Sequence, residues 1–220
     1  MRGAPRHGHV AKVYQDRTCE VLNVAAHRGD IDIFDHLVAR GADPSRSNAL
    51  HYAATCKDAL KANAMITHLI EKYHLDPNAS DSCGGLNELL DLPGGLGDPY
   101  RNPLDYAVSR GNLPAAEALL KFGADPSNSI YEAIEEYQAP AVKILLEAGA
   151  DYSKSFPRAV TKNFLEGAEL CLQYGADPAD AERHDKELAD DPEGLYKGMP
   201  PYLRYKGMTP EMRKLLDEWK

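Results

Sequence analysis

The 220-residue chain has no run of about 18 apolar residues, so a membrane-spanning helix is not expected. Its first ten residues carry charge without an apolar core behind them, and no secretory signal is expected. Cysteine is sparse. Cys19, Cys56, Cys83 and Cys171 stand alone, without the C-x-x-C spacing that clusters ligands around a structural zinc or the density of a small disulfide scaffold. These four are read as reduced thiols of an intracellular protein, cytoplasmic or nuclear. The sequence also lacks G-x-S-x-G, H-E-x-x-H and a phosphate-cradling glycine loop followed by lysine. Gly94-Gly95-Leu96-Gly97 has neither that lysine nor a preceding strand. No catalytic residue, metal ligand or cofactor is therefore expected. Positive charge is in deficit too. The net charge is −9, and such a field repels a phosphate backbone, so nucleic acid is not an expected partner.

What the chain does have is an internal ruler. Gly41-Ala42-Asp43, Gly123-Ala124-Asp125, Gly149-Ala150-Asp151 and Gly175-Ala176-Asp177 end four segments alike, and the last three are 26 residues apart. Each Gly has an alanine 16 residues before it: Ala25, Ala107, Ala133 and Ala159. Between the marks, apolar residues recur at helical spacing, as in Leu119-Leu120 and Leu145-Leu146. The glycine then stops the helix in a left-handed conformation. A further unit opens at Asn48 and closes at His74-Leu75-Asp76-Pro77. There Ala53 and the closing residue are 21 residues apart, and the five extra residues are expected to lengthen the loop between its two helices.

Asn48-Ala49-Leu50-His51-Tyr52-Ala53-Ala54 resembles the T-P-L-H-x-A-A start of an ankyrin repeat, and Asn102-Pro103-Leu104-Asp105-Tyr106-Ala107 resembles it again. Arg28-Gly29-Asp30 and Arg110-Gly111-Asn112 are similar to the family's interhelix turn. The resemblance covers roughly residues 17–180 and implies an all-α, ankyrin-type helical repeat solenoid of stacked helix-turn-helix units. It also implies a structural role for His51. The family period is about 33 residues; the shorter 26 here predicts that the later units have short β-turn fingers or none.

Three regions fall outside the ruler. Residues 1–16 are expected to be an extension or partial cap. Residues 81–101, with five glycines and two prolines, form an insertion, and residues 181–220 a C-terminal capping region. The last of these contains two copies of Tyr-Lys-Gly-Met, at 196–199 and 205–208, and an apolar stripe of Met212, Leu215, Leu216 and Trp219.

In an ankyrin stack the first helices line a concave groove, and the resemblance implies that it binds a protein partner. The groove positions flank the marked alanines: Val24, His27 and Arg28; Tyr52 and Thr55; Tyr106 and Arg110; Glu132, Glu135 and Glu136; Arg158 and Lys162. Tyr52 and Tyr106 are the expected anchors, since tyrosine and arginine dominate interface energetics. The glutamates would favour a partner with basic groups. The alternative is a small-molecule or enzymatic site between the insertion and this groove, with Cys56 and His27 as the one pair that could approach each other.

Overall fold

The computed structural model describes residues 17–80, 101–190 and 207–220. The chain divides into two compact units, Met1–Ala124 and Asp125–Lys220. Among the described residues there are helices and no strand. Nearly all of the 81–101 insertion lies outside the described residues, as do residues 1–16 and most of the two Tyr-Lys-Gly-Met copies.

In the first unit, helices α1 (Arg17–Arg28), α3 (Ala49–Ala54) and α5 (Pro103–Ser109) form an inner row, α1 against α3 and α3 against α5. Helices α2 (Ile31–Ala39), α4 (Ala59–Tyr73) and α6 (Leu113–Lys121) return behind them. The marked Ala25, Ala53 and Ala107 are at most 3% exposed, so only a small side chain lets successive inner helices come this close. Phe34, Met65, Ile66, Leu69, Leu104 and Leu119 fill the space between the rows.

The second unit repeats the plan. Inner helices α7 (Ser129–Glu135), α9 (Ser155–Thr161) and α11 (Pro178–Asp190) pack in sequence. Outer helices α8 (Ala139–Glu147), α10 (Leu165–Gln173) and α12 (Pro210–Glu218) do the same. The final pair thus continues both rows. Met212 and Leu216 of α12 are buried, and Thr209 caps it by accepting from the Met212 amide at 3.3 Å. The Thr209 N–H donates to Asn163 Oδ1 at 3.0 Å, and Lys220 pairs with Glu182 of α11 at 2.6 Å.

The Gly-Ala-Asp ruler has a physical cause. Gly41, Gly123, Gly149 and Gly175 take φ of +99°, +85°, +87° and +97°. The next amide, from Ala42, Ala124, Ala150 or Ala176, then reaches back to a carbonyl of the helix's last turn at 3.0–3.1 Å. The aspartate carboxylate accepts from the N–H two residues on, at 2.9–3.0 Å from Ser45, Ser127, Ser153 and Ala179. His74 takes the glycine's place after α4, with φ +55°.

The extra residues of the second repeat do not lengthen its loop. They lengthen the helix: α4 has 15 residues where α2, α6, α8 and α10 have nine, and Asp58 caps it at once by accepting from Leu60 and Lys61 amides. The added turns are held by Asp35 of α2. Its carboxylate accepts from His68 at 2.7 Å, Lys72 at 2.6 Å and Tyr73 at 2.6 Å. His68 is therefore bonded between helices, whereas His36 is exposed. Inner helices begin at Pro103, Ser129 and Ser155, and the links into α7 and α9 are single turns without fingers.

Candidate functional site

The inner helices of the first unit end together, and their last residues build a rim. His27 and Arg28 close α1, Thr55 and Cys56 follow α3, and Arg110 follows α5. Thr55 Oγ1 donates its single proton to the Tyr52 carbonyl at 2.8 Å. It must therefore accept from His27 Nδ1–H, 3.0 Å away, which leaves the His27 Nε2 lone pair unprotonated. Burial lowers the His27 pKa, and the charges of Lys57, Arg110 and Arg28 lower it further against a hydrogen bond to the Tyr52 backbone.

Two hollows lie along this rim. One, of about 550 Å³, is lined by His27, Thr55, Cys56, Lys57, Arg110 and Asn112 among others, with no carboxylate in its wall. The other, of about 740 Å³, shares His27, Cys56 and Lys57 and adds Arg28, Lys61, Asp30, Asp32 and Asp58. Asn112, in the wall of the smaller hollow, ties α6 to the end of α3: its Nδ2 donates to the Ala54 carbonyl at 3.0 Å and the Cys56 carbonyl at 2.9 Å. Partial burial lowers the Arg110 pKa, and the Arg101 charge adds to the effect.

The remaining groove positions are placed unevenly. Val24 is 47% exposed, but Tyr52 and Tyr106 are only 6% and 2% exposed. Tyr52 meets the His27 ring edge-on, and Tyr106 packs against the His51 ring at 5.6 Å with the Arg101 guanidinium over it at 5.1 Å. Tyr52 and Tyr106 thus lie between successive inner helices, where an aromatic ring serves packing. His51 is buried in that contact, in keeping with a structural role. Cys56 Sγ donates to the Asp58 carbonyl at 3.6 Å and His27 Nδ1 is directed to Thr55, so neither bond joins the two.

In the second unit, Glu135 accepts from Arg158 Nε at 2.5 Å and from Lys162 at 2.9 Å. Burial pushes its carboxyl up, but the hydrogen bonds and charges of Arg158 and Lys162 outweigh this and hold it at about 2. The glutamates expected to draw a basic partner are thereby partly neutralised from within. Glu132 is half-buried and Glu136 exposed. Lys162 also sits 4.6 Å over the exposed ring of Tyr137.

Lys57, Lys61 and Tyr137 lie outside the groove positions expected from the sequence. A signal for two of them existed: Lys57 and Tyr137 follow their marked alanine by four residues, the place Gly29 and Gly111 occupy in the interhelix turn. Among the described residues, no His, Cys, Asp and Glu side chains gather in a group that could hold a metal ion, and no helix is long and apolar enough to cross a membrane. The alternative site at the insertion falls largely outside the described residues.

Residues 100–131 match the family model of the ankyrin repeat. The chain is similar to the transient receptor potential channel pyrexia of Drosophila melanogaster, 39% identical over 59 residues, which is 27% of this chain and 4% of the channel. It is also similar in fold to the human ASB11 ankyrin repeat domain, at 19% identity and a TM-score of 0.43, covering 90% of this chain and 97% of that one. The ankyrin repeat domain of Bcl-3, of the IkappaB protein family, is 22% identical with a TM-score of 0.38, covering 72% and 87%. Ankyrin repeats are generally protein–protein interaction modules. The family match thus identifies an ankyrin repeat at residues 100–131, within a chain of repeating helix-turn-helix units closed by the same Gly-Ala-Asp turn.

Proposed function

We propose that the chain is a protein-binding module or adaptor whose contact surface on its first unit is the rim where α1, α3 and α5 end. The observation that carries this reading is charge left unspent. Asp35, Glu135, Asp185 and Glu182 each have a cationic partner, yet no carboxylate among the described residues pairs with Arg28, Lys57, Lys61 or Arg110. Clustered like charges repel one another in the free protein, and a partner of opposite sign relieves that repulsion. Arg28 and Arg110 are exposed, and arginine is favoured at interface centres. The final helix pair, with polar outer faces, is read as the cap that closes the stack. Free, buried Cys56 and Cys171 support an intracellular setting.

Affinity capture from the native extract tests the rim. The wild-type chain is expected to retain a partner that the Arg28→Glu/Arg110→Glu variant loses, with thermal melts of the two coinciding. Retention of the same proteins by both would remove the rim assignment.

A further inference from the structure

We propose that the rim of the first unit takes an extended acidic peptide, one of whose carboxylates sits in the hollow between Lys57 and Arg110. This inference rests on the rim being the contact surface and names the class of partner.

Three observations carry it. The smaller hollow has two cationic side chains and no carboxylate in its wall, so an anion entering it meets attraction without a competing internal partner. The Arg101 charge adds to that of Arg110 rather than relieving it.

The hollow is also not isolated. It runs into its neighbour through His27, Cys56 and Lys57, and together they cross the ends of three inner helices. Helices packed about 8–10 Å apart make that span about 20 Å. About six residues of extended chain cover such a length at roughly 3.3 Å each. In the larger hollow, the carboxylates of Asp30 and Asp58 are directed to helix amides, Ile33 for one and Leu60 and Lys61 for the other, and Asp32 is the third carboxylate of the wall. None of the three forms an ion pair with Arg28 or Lys61, which can meet a second acidic side chain.

Finally, the choice of peptide over nucleic acid follows from the whole-chain charge of −9. A phosphate polymer long enough to gain from counterion release extends beyond the patch and into that field. A short peptide stays within about one Debye length, about 8 Å at physiological salt, of the local cations.

The test uses the full chain and fluorescence anisotropy of a fluorescein-labelled ten-residue peptide of alternating Glu and Gly. Its Lys–Gly counterpart and a ten-nucleotide single-stranded DNA are measured beside it. The Glu peptide is expected to bind, and to weaken by about tenfold or more between low and high salt. Lys57→Glu/Arg110→Glu is expected to weaken it by about tenfold or more, with an unchanged melt. Lys121→Glu, which reverses an exposed cation of α6 outside the hollows, should leave it unaltered.

Absence of binding, an equal loss in Lys121→Glu, or tighter binding of the DNA or the Lys peptide would each overturn the acidic-peptide assignment. If Arg28→Glu/Arg110→Glu loses a captured protein while the Glu peptide does not bind, the rim stands and the partner class falls. If neither effect is seen, both fall.

Discussion

Glu135 shows how much one side chain organises. Arg158 and Lys162 converge on it from α9, and its folded pKa of about 2 lies below the ordinary 4.5. A depressed carboxylate stabilises the fold fully above its unfolded pKa, and that stability is lost as pH falls from about 4.5 toward 2. Glu135→Gln is expected to lower stability by about 1–2 kcal/mol at pH 7, a figure reduced for solvent screening of the half-exposed Arg158. Urea melts of wild type and variant should converge as pH drops through that window; a gap that stays constant would deny the ion pairs their role. Glycine offers a sharper contrast. A Cβ on Gly29 would lie 2.5 Å from Lys61 Cβ at φ +66°, whereas Gly41, at φ +99°, has open space around it. Left-handed backbone costs a side chain about 1–2 kcal/mol in either case. Gly29→Ala should therefore depress Tm clearly more than Gly41→Ala, and equal losses would place the cause in backbone strain alone. These glycines were readable in the sequence because a turn of this kind demands them. Tyr137, Asn163 and His74 take the same left-handed conformation at φ +54° to +55° and were not readable, since nothing in a tyrosine announces it. Only their register in the repeat does.

At the scale of elements, the two helices per repeat, their ends and the short later links were legible, because each end carries its own chemistry. Asn102 and Asp105 exchange amide bonds at 2.9 Å in a capping box, and each Gly-Ala-Asp writes a helix stop followed by a turn. The second repeat was misread for a physical reason. Extra residues between two marks can enter a loop or a helix, and Asp58, Asp35 and the apolar Met65, Ile66 and Leu69 decide for the helix through contacts distant in sequence. The terminal pair was seen in outline only. Thr209 and Pro210 fix where α12 starts, but its place in the outer row depends on the Thr209–Asn163 bond. Loss of the cap in Thr209→Ala is expected to cost about 1 kcal/mol. Amide hydrogen exchange should quicken in α12 while α7 and α8 keep their protection, and uniform quickening across the second unit would show that α12 is integral to its core.

For the molecule as a whole, the candidate surface was half legible. His27, Arg28, Thr55 and Arg110 were expected in the groove from the repeat register, and the structure sets them around the two hollows. Tyr52 and Tyr106 share the inner helices but are buried, each ring against a histidine, whereas Val24 at the same repeat position is exposed. The charge pattern needed coordinates: which cations find carboxylates depends on side chains that meet across repeats. The second unit binds its glutamate to its own arginine and lysine, while along the rim of the first Arg28, Lys57, Lys61 and Arg110 pair with no carboxylate among the described residues. That difference directs the account to the first unit. The most direct measurement is the dissociation constant of the captured partner for wild type and for Lys57→Glu/Arg110→Glu, each verified as folded by circular dichroism. The account expects the variant to bind at least about tenfold more weakly, as removal of steering and paired charge should cause. Equal affinity for the two chains would contradict it.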